Sequence, residues 1–125
     1  MEESDQLLTE KINEILSGDR TYSREAYLLI TGCVLRGRHA RAREILEILR
    51  TRVREEYGGF ASMVLEGWGL RHARDVGEVV YRLIDAGILC AAEDDRQEEF
   101  DIDFELAPSF REDRPQHQSE ISRID

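Results

Sequence analysis

Arg41, Arg43, Arg50 and Arg54 are the residues of this chain whose chemistry and spacing best suit recognition of another molecule. A guanidinium carries a fixed positive charge and a fork of N–H donors, so several on one helix suit RNA, phosphate or a carboxylate-rich protein surface. Arg43, Glu47, Arg50 and Arg54 recur at intervals of three and four residues, which places them on one helical face, with Arg41 and Arg52 on another. Two plainer readings stand beside that one. The face could simply be solvated, with an Arg43–Glu47 pair worth a few tenths of a kcal/mol, or the chain's own acidic C-terminal region could fold back on it. Basic residues without aromatics interleaved among them are a weak nucleic-acid signal.

The remaining reactive residues do not assemble into a known pattern. His39, His72 and His117 lie far apart, without the spacing of a metal-ligand set. Asp101-x-Asp103-x-Glu105 lines up carboxylates at alternate positions, but the glycine and terminal glutamate of an EF-hand loop are missing. Cys33 and Cys90 have no ligand or redox spacing and read as buried thiols in a reducing, cytoplasmic setting. No phosphate-cradling loop, nucleophile elbow or assembled triad is present. The expectation is therefore a non-enzymatic protein with no catalytic residues, no metal and no cofactor.

Charge is unevenly placed along the 125 residues. Residues 1–92 hold 15 acids and 13 basic residues, whereas 93–125 hold 12 acids and 4 arginines. Residues 20–54 alone carry nine arginines against three acids. The N-terminal Met1–Asp5 stretch is acidic and has no signal-peptide pattern, and no segment approaches the ~20 apolar residues of a membrane span.

Helical periodicity organises most of the chain. A first helix is expected after an N-cap at Ser4, with Leu8, Ile12, Ile15 and Leu16 on one stripe and Gly18 at its end. A second runs from Ser23 to Arg36, and a third from Ala40 to Glu56 with Ile45, Leu46, Leu49 and Val53 inward. A short fourth helix, Phe60 to Glu66, leads through Gly67-Trp68-Gly69-Leu70 into a fifth from Arg74 to Ala86. Trp68 in this turn reads as a core pin, Gly69 as part of the turn, Asp75 as a first-turn carboxylate favouring the helix dipole, and Gly77 as a point of close packing against the fourth helix.

Ile88–Ala91 then reads as a short buried strand. Phe100, Ile102, Phe104 and Leu106 alternate with Asp101, Asp103 and Glu105, the signature of a half-buried strand. Together these predict a mainly α (α+β) fold: about five helices followed by a C-terminal β-hairpin in a winged-helix-like arrangement. Residues 1–106 form the single domain, and 107–125 read as a mobile acidic tail.

The densest part of the pattern carries a resemblance. Tyr22, Ala26-Tyr27, His39, Ile45-Leu46, Tyr57-Gly58, Ala61, Val64-Leu65 and Trp68-Gly69 belong to it, as do Asp75, Gly77, Val80-Tyr81, Leu83-Ile84 and Gly87, with Asp94-Asp95, Phe100 and Phe104 later. Over roughly 80 residues the chain resembles a bacterial family of small uncharacterised proteins, the Minf-type conserved hypothetical family. The resemblance supports the fold reading and implies no activity. Gly59-Phe60 departs from the family's Pro-Met, and Ala73 from its Thr, which removes a hydroxyl from the start of the fifth helix.

A winged helix invites DNA reading, but the fifth helix presents Arg74, Asp75, Glu78, Arg82 and Asp85, and the wing carries Asp94, Asp95, Glu98 and Glu99. A duplex approaching there would meet repulsion rather than counterion release. The functional expectation is an interaction module for a protein or ribonucleoprotein, with Arg41, Arg43, Arg50 and Arg54 as the anion-binding surface. Its alternative is a nucleic-acid-binding regulator acting through the same third helix. Specific DNA and membrane are not expected partners, and self-association is left open.

Overall fold

The computed structural model describes the backbone of residues 2–36 and 41–107, with side chains described for 6–35 and 41–107. It contains five α-helices: α1 (Glu2–Gly18), α2 (Arg24–Arg36), α3 (Ala42–Tyr57), α4 (Ala61–Gly67) and α5 (Ala73–Asp85). Short 3-10 turns at Gly58–Phe60 and Gln97–Phe100 complete the regular structure. The backbone of α1 begins at Glu2, so Ser4 lies inside the helix instead of capping it.

The helices form because each supplies an apolar stripe at helical spacing, and the stripes converge on one core. Ile12 of α1, Ala26, Tyr27 and Ile30 of α2, Leu46, Leu49 and Val53 of α3, and Val76, Val79 and Leu83 of α5 are all buried. Two helix starts use the same device. Glu44 accepts the Arg41 backbone N–H at 2.9 Å, and Asp75 accepts those of Arg71 and His72 at 3.0 and 2.9 Å. Each carboxylate sits at the third helical position and satisfies donors that the helix itself cannot. Asp75 thus supplies at the start of α5 what Ala73 cannot.

The C-terminal β-hairpin and the winged-helix arrangement are not supported: the described residues contain no strand and no sheet. The reason is visible in the backbone. Gly87, at φ 82°, closes α5, its N–H donating to Ile84 O at 2.9 Å while that of Ile88 donates to Leu83 O at 2.9 Å. This reciprocal pair is the Schellman arrangement. It draws the N–H groups of Ile88 and Leu89 back onto the helix, so the first half of the segment expected as a strand has its ladder donors already engaged.

The second expected strand is an extended segment laid over the helices. Phe100, Phe104 and Leu106 are buried, whereas Ile102 remains 37% exposed. Alternation recorded burial of one side, a condition that an unpaired segment packed on helices also meets. Ala107 packs against the core; the tail expected beyond it, like His39 and His117, lies outside the described residues.

Candidate interaction cleft and the arginine face

The arginines expected to bind a partner are largely engaged within the chain. Arg41 Nη1 contacts Asp94 at 2.8 Å and Nη2 contacts Glu99 at 2.5 Å. The hydrogen bond to Asp94, followed by that to Glu99, raises the Arg41 pKa, and the same guanidinium lowers that of Asp94. Arg50 and Arg43 flank the buried Phe104 ring, their guanidinium carbons 4.4 and 5.5 Å from its centre. Arg50 also donates to the Glu105 carbonyl at 3.4 Å, and Arg43 pairs with Glu47 at 3.7 Å. Arg54 is exposed and makes no ion pair among the described residues.

The turn between α4 and α5 is held by its glycine. Gly69 has φ 94°, and a Cβ there would lie 2.6 Å from the Thr21 carbonyl oxygen. The turn therefore presses backbone to backbone against the α1–α2 connection, where the Ser23 N–H donates to the Trp68 carbonyl at 3.2 Å. Trp68 is half-buried, packed on the core, with its ring edge-on to Tyr57 at 5.9 Å. Gly77 makes a close approach, but its neighbour is Phe100 of the second 3-10 turn rather than α4: a Cβ would sit 2.6 Å from Phe100 Cβ.

A polar cluster joining α5 to the α1–α2 connection was not foreseen. The Tyr22 hydroxyl lies 3.0 Å from Asp75 Oδ1 and 2.5 Å from Glu78 Oε1. Arg82 donates to Asp19 at 3.0 Å, Glu78 at 3.2 Å and the Tyr27 hydroxyl at 3.3 Å, and its guanidinium lies over the Tyr22 ring. Burial pushes the Tyr22 pKa up, reinforced by Glu78 and Asp75. Asp19 is held down at about 2 by Thr21, through its side chain and backbone N–H, and then by Arg82. In sequence only the Glu78–Arg82 spacing signals this cluster; its other contacts join residues more than 50 positions apart.

A cleft of about 490 Å³ lies between the end of α2, the start of α3, α5 and the segment after it. Val34, Ala42, Ile45, Val80, Ile84 and Leu89 give it an apolar floor. Its rim is charged: Arg41 with Asp94 and Glu99, then Asp95, Arg96 and the Tyr81 hydroxyl. Cys90, expected to be buried, is exposed on this rim, whereas Cys33 is buried. Burial raises the Tyr81 pKa, and the charges of Asp95, Glu99 and Glu98 raise it further, against an opposing contribution from Arg41.

No group of three His, Cys, Asp or Glu residues suited to a metal ion occurs among the described residues. No helix among them is long and apolar enough to cross a membrane. Compared with family models, curated proteins and solved structures, the chain matches none.

Proposed function

We propose that the chain is a non-enzymatic interaction module whose partner is a protein, alone or within a ribonucleoprotein, seated in the cleft between α2, α3 and α5. The observation that carries this reading is the cleft itself: an apolar floor of recognition-site size with a polar rim. Its rim charges are largely spent on each other, since Arg41 spans Asp94 and Glu99. The arginine face supports a nucleic-acid partner less well, because Arg41, Arg43 and Arg50 are already held by the chain's own C-terminal segment. A reducing, cytoplasmic setting suits an exposed thiol at Cys90.

The test is affinity capture from the native host with the wild-type chain and with Ala91→Trp and Ala92→Trp, exposed positions that line the cleft. A protein retained by the wild type, resistant to nuclease and lost from the filled variants is the expected result. Material held equally by both tryptophan variants would refute the cleft as the binding surface, and capture that leaves no protein behind after nuclease would refute the protein partner.

A further inference from the structure

The chemistry of the occupant follows from the charges around the cleft, and the inference rests on the cleft being the binding surface. Residues 93–103 carry seven carboxylates and one arginine, and of these Asp94, Asp95, Glu99 and Arg96 line the cleft. Among the described residues the other cation lining the cleft is Arg41, which is already shared between Asp94 and Glu99. The acidic surface continues past the 3-10 turn. Glu99 lines the cleft, while the preceding Glu98 lines a neighbouring depression of about 280 Å³ with Asp101, Glu78, Arg74 and Gln97. The two hollows thus lie on either side of a single turn.

We infer that the occupant is a peptide segment of a protein partner that places an apolar side chain on the cleft floor and arginines or lysines against the carboxylates around Asp95 and Glu98. The apolar floor rewards removal of a hydrocarbon group from water. The rim then discriminates by charge, since like charges brought together at an interface are penalised and opposite charges steer the encounter. An acidic peptide or an RNA phosphate would meet the same carboxylates with the wrong sign. A segment of peptide, unlike a small amine, reaches both hollows at once. The Tyr81 pKa, raised first by burial, is raised further by three of these carboxylates and opposed by one arginine.

The test is selection of a random peptide library displayed on phage against the full chain, followed by binding of the enriched peptides to variants. Thiol reactivity gives a readout at the cleft, because Cys90 is exposed and Cys33 is buried. The expected peptides pair an aromatic or aliphatic residue with at least two basic ones, slow the modification of Cys90 and bind Ala92→Trp poorly. The double variant Asp95→Asn, Glu98→Gln should weaken them about fivefold at low salt, as expected for losing two exposed ion pairs. Asn at position 95 keeps an acceptor for the Ala92 N–H, which Asp95 Oδ2 receives at 2.8 Å. Enriched peptides that protect Cys90 but carry no net positive charge would overturn the basic occupant and leave the cleft standing. No enrichment, or peptides that neither protect Cys90 nor respond to Ala92→Trp, would overturn both. An RNA oligonucleotide that protects Cys90 would overturn the protein partner.

Discussion

Tyr22 has one hydroxyl proton and two carboxylates within hydrogen-bonding distance, so it donates to one of Asp75 Oδ1 and Glu78 Oε1, while the backbone holds Asp75 Oδ2 and Arg82 holds Glu78 Oε2. Tyr22→Phe leaves the buried ring in place and removes only that donor. Because Asp75 and Glu78 keep other partners, the loss should be about 1 kcal/mol, read from the shift of the urea midpoint. Asp19 gives a pH signature with a definite sign. Its folded value of about 2 lies below the ordinary 3.8, so it stabilises the fold fully above roughly pH 4 and loses that effect as pH falls toward 2. Asp19→Asn should therefore melt below the wild type at neutral pH. The gap between their melting midpoints should close as the pH is lowered to 2; a gap that stays constant would show that the Thr21 and Arg82 contacts do not set this group's titration.

At the scale of elements, the contact between α5 and the Gln97–Phe100 turn is the one that a glycine makes possible. In a helix, Gly to Ala ordinarily gains about 1 kcal/mol. At position 77 the new methyl would lie 2.6 Å from Phe100 Cβ and 2.8 Å from Cγ, and the resulting overpacking should cost about 1–3 kcal/mol. The expected net effect is destabilisation in the wild type and stabilisation when Phe100 is first replaced by Gly, which unlike Ala also removes the Cβ in closest contact, a reversal that a double-mutant cycle of urea midpoints would detect. The sequence marked Gly77 as a point of close packing, yet α4 was the expected neighbour. A glycine shows that something comes near without showing what. The same gap separates the Phe100–Leu106 alternation from a hairpin: period two is legible, whereas pairing depends on where neighbouring N–H groups go, and those of Ile88 and Leu89 return to Leu83. The helices were legible because a 3.6-residue stripe such as Leu46, Leu49, Val53 contains its own local evidence.

Across the whole molecule, the arginine-rich middle and the acidic C-terminal region meet. Arg41 reaches Asp94 and Glu99, and Arg43 and Arg50 clasp Phe104. Segregated charge made fold-back readable as an option; the partners themselves were not, because an ion pair between residues 53 or 58 apart leaves no periodic trace. The C-terminal segment is also structural. A chain ending at Arg96 loses Phe100, Phe104 and Leu106, which are buried in the core. At about 1.5–3 kcal/mol for each buried side chain, this approaches the ~5–15 kcal/mol that holds a small domain folded. Such a chain should lack a cooperative thermal transition, whereas one ending at Ala107 should melt with the full-length protein, as followed by circular dichroism. The position of this seal has a consequence during synthesis. Leu106 is made 21 residues after α5 ends at Asp85, an interval of about one to four seconds at ordinary translation rates. Throughout that interval the residues of α5 have been made but not all of those that cover Gly77 and the core beside it, so the last apolar surface of the fold is sealed only when the chain reaches Leu106.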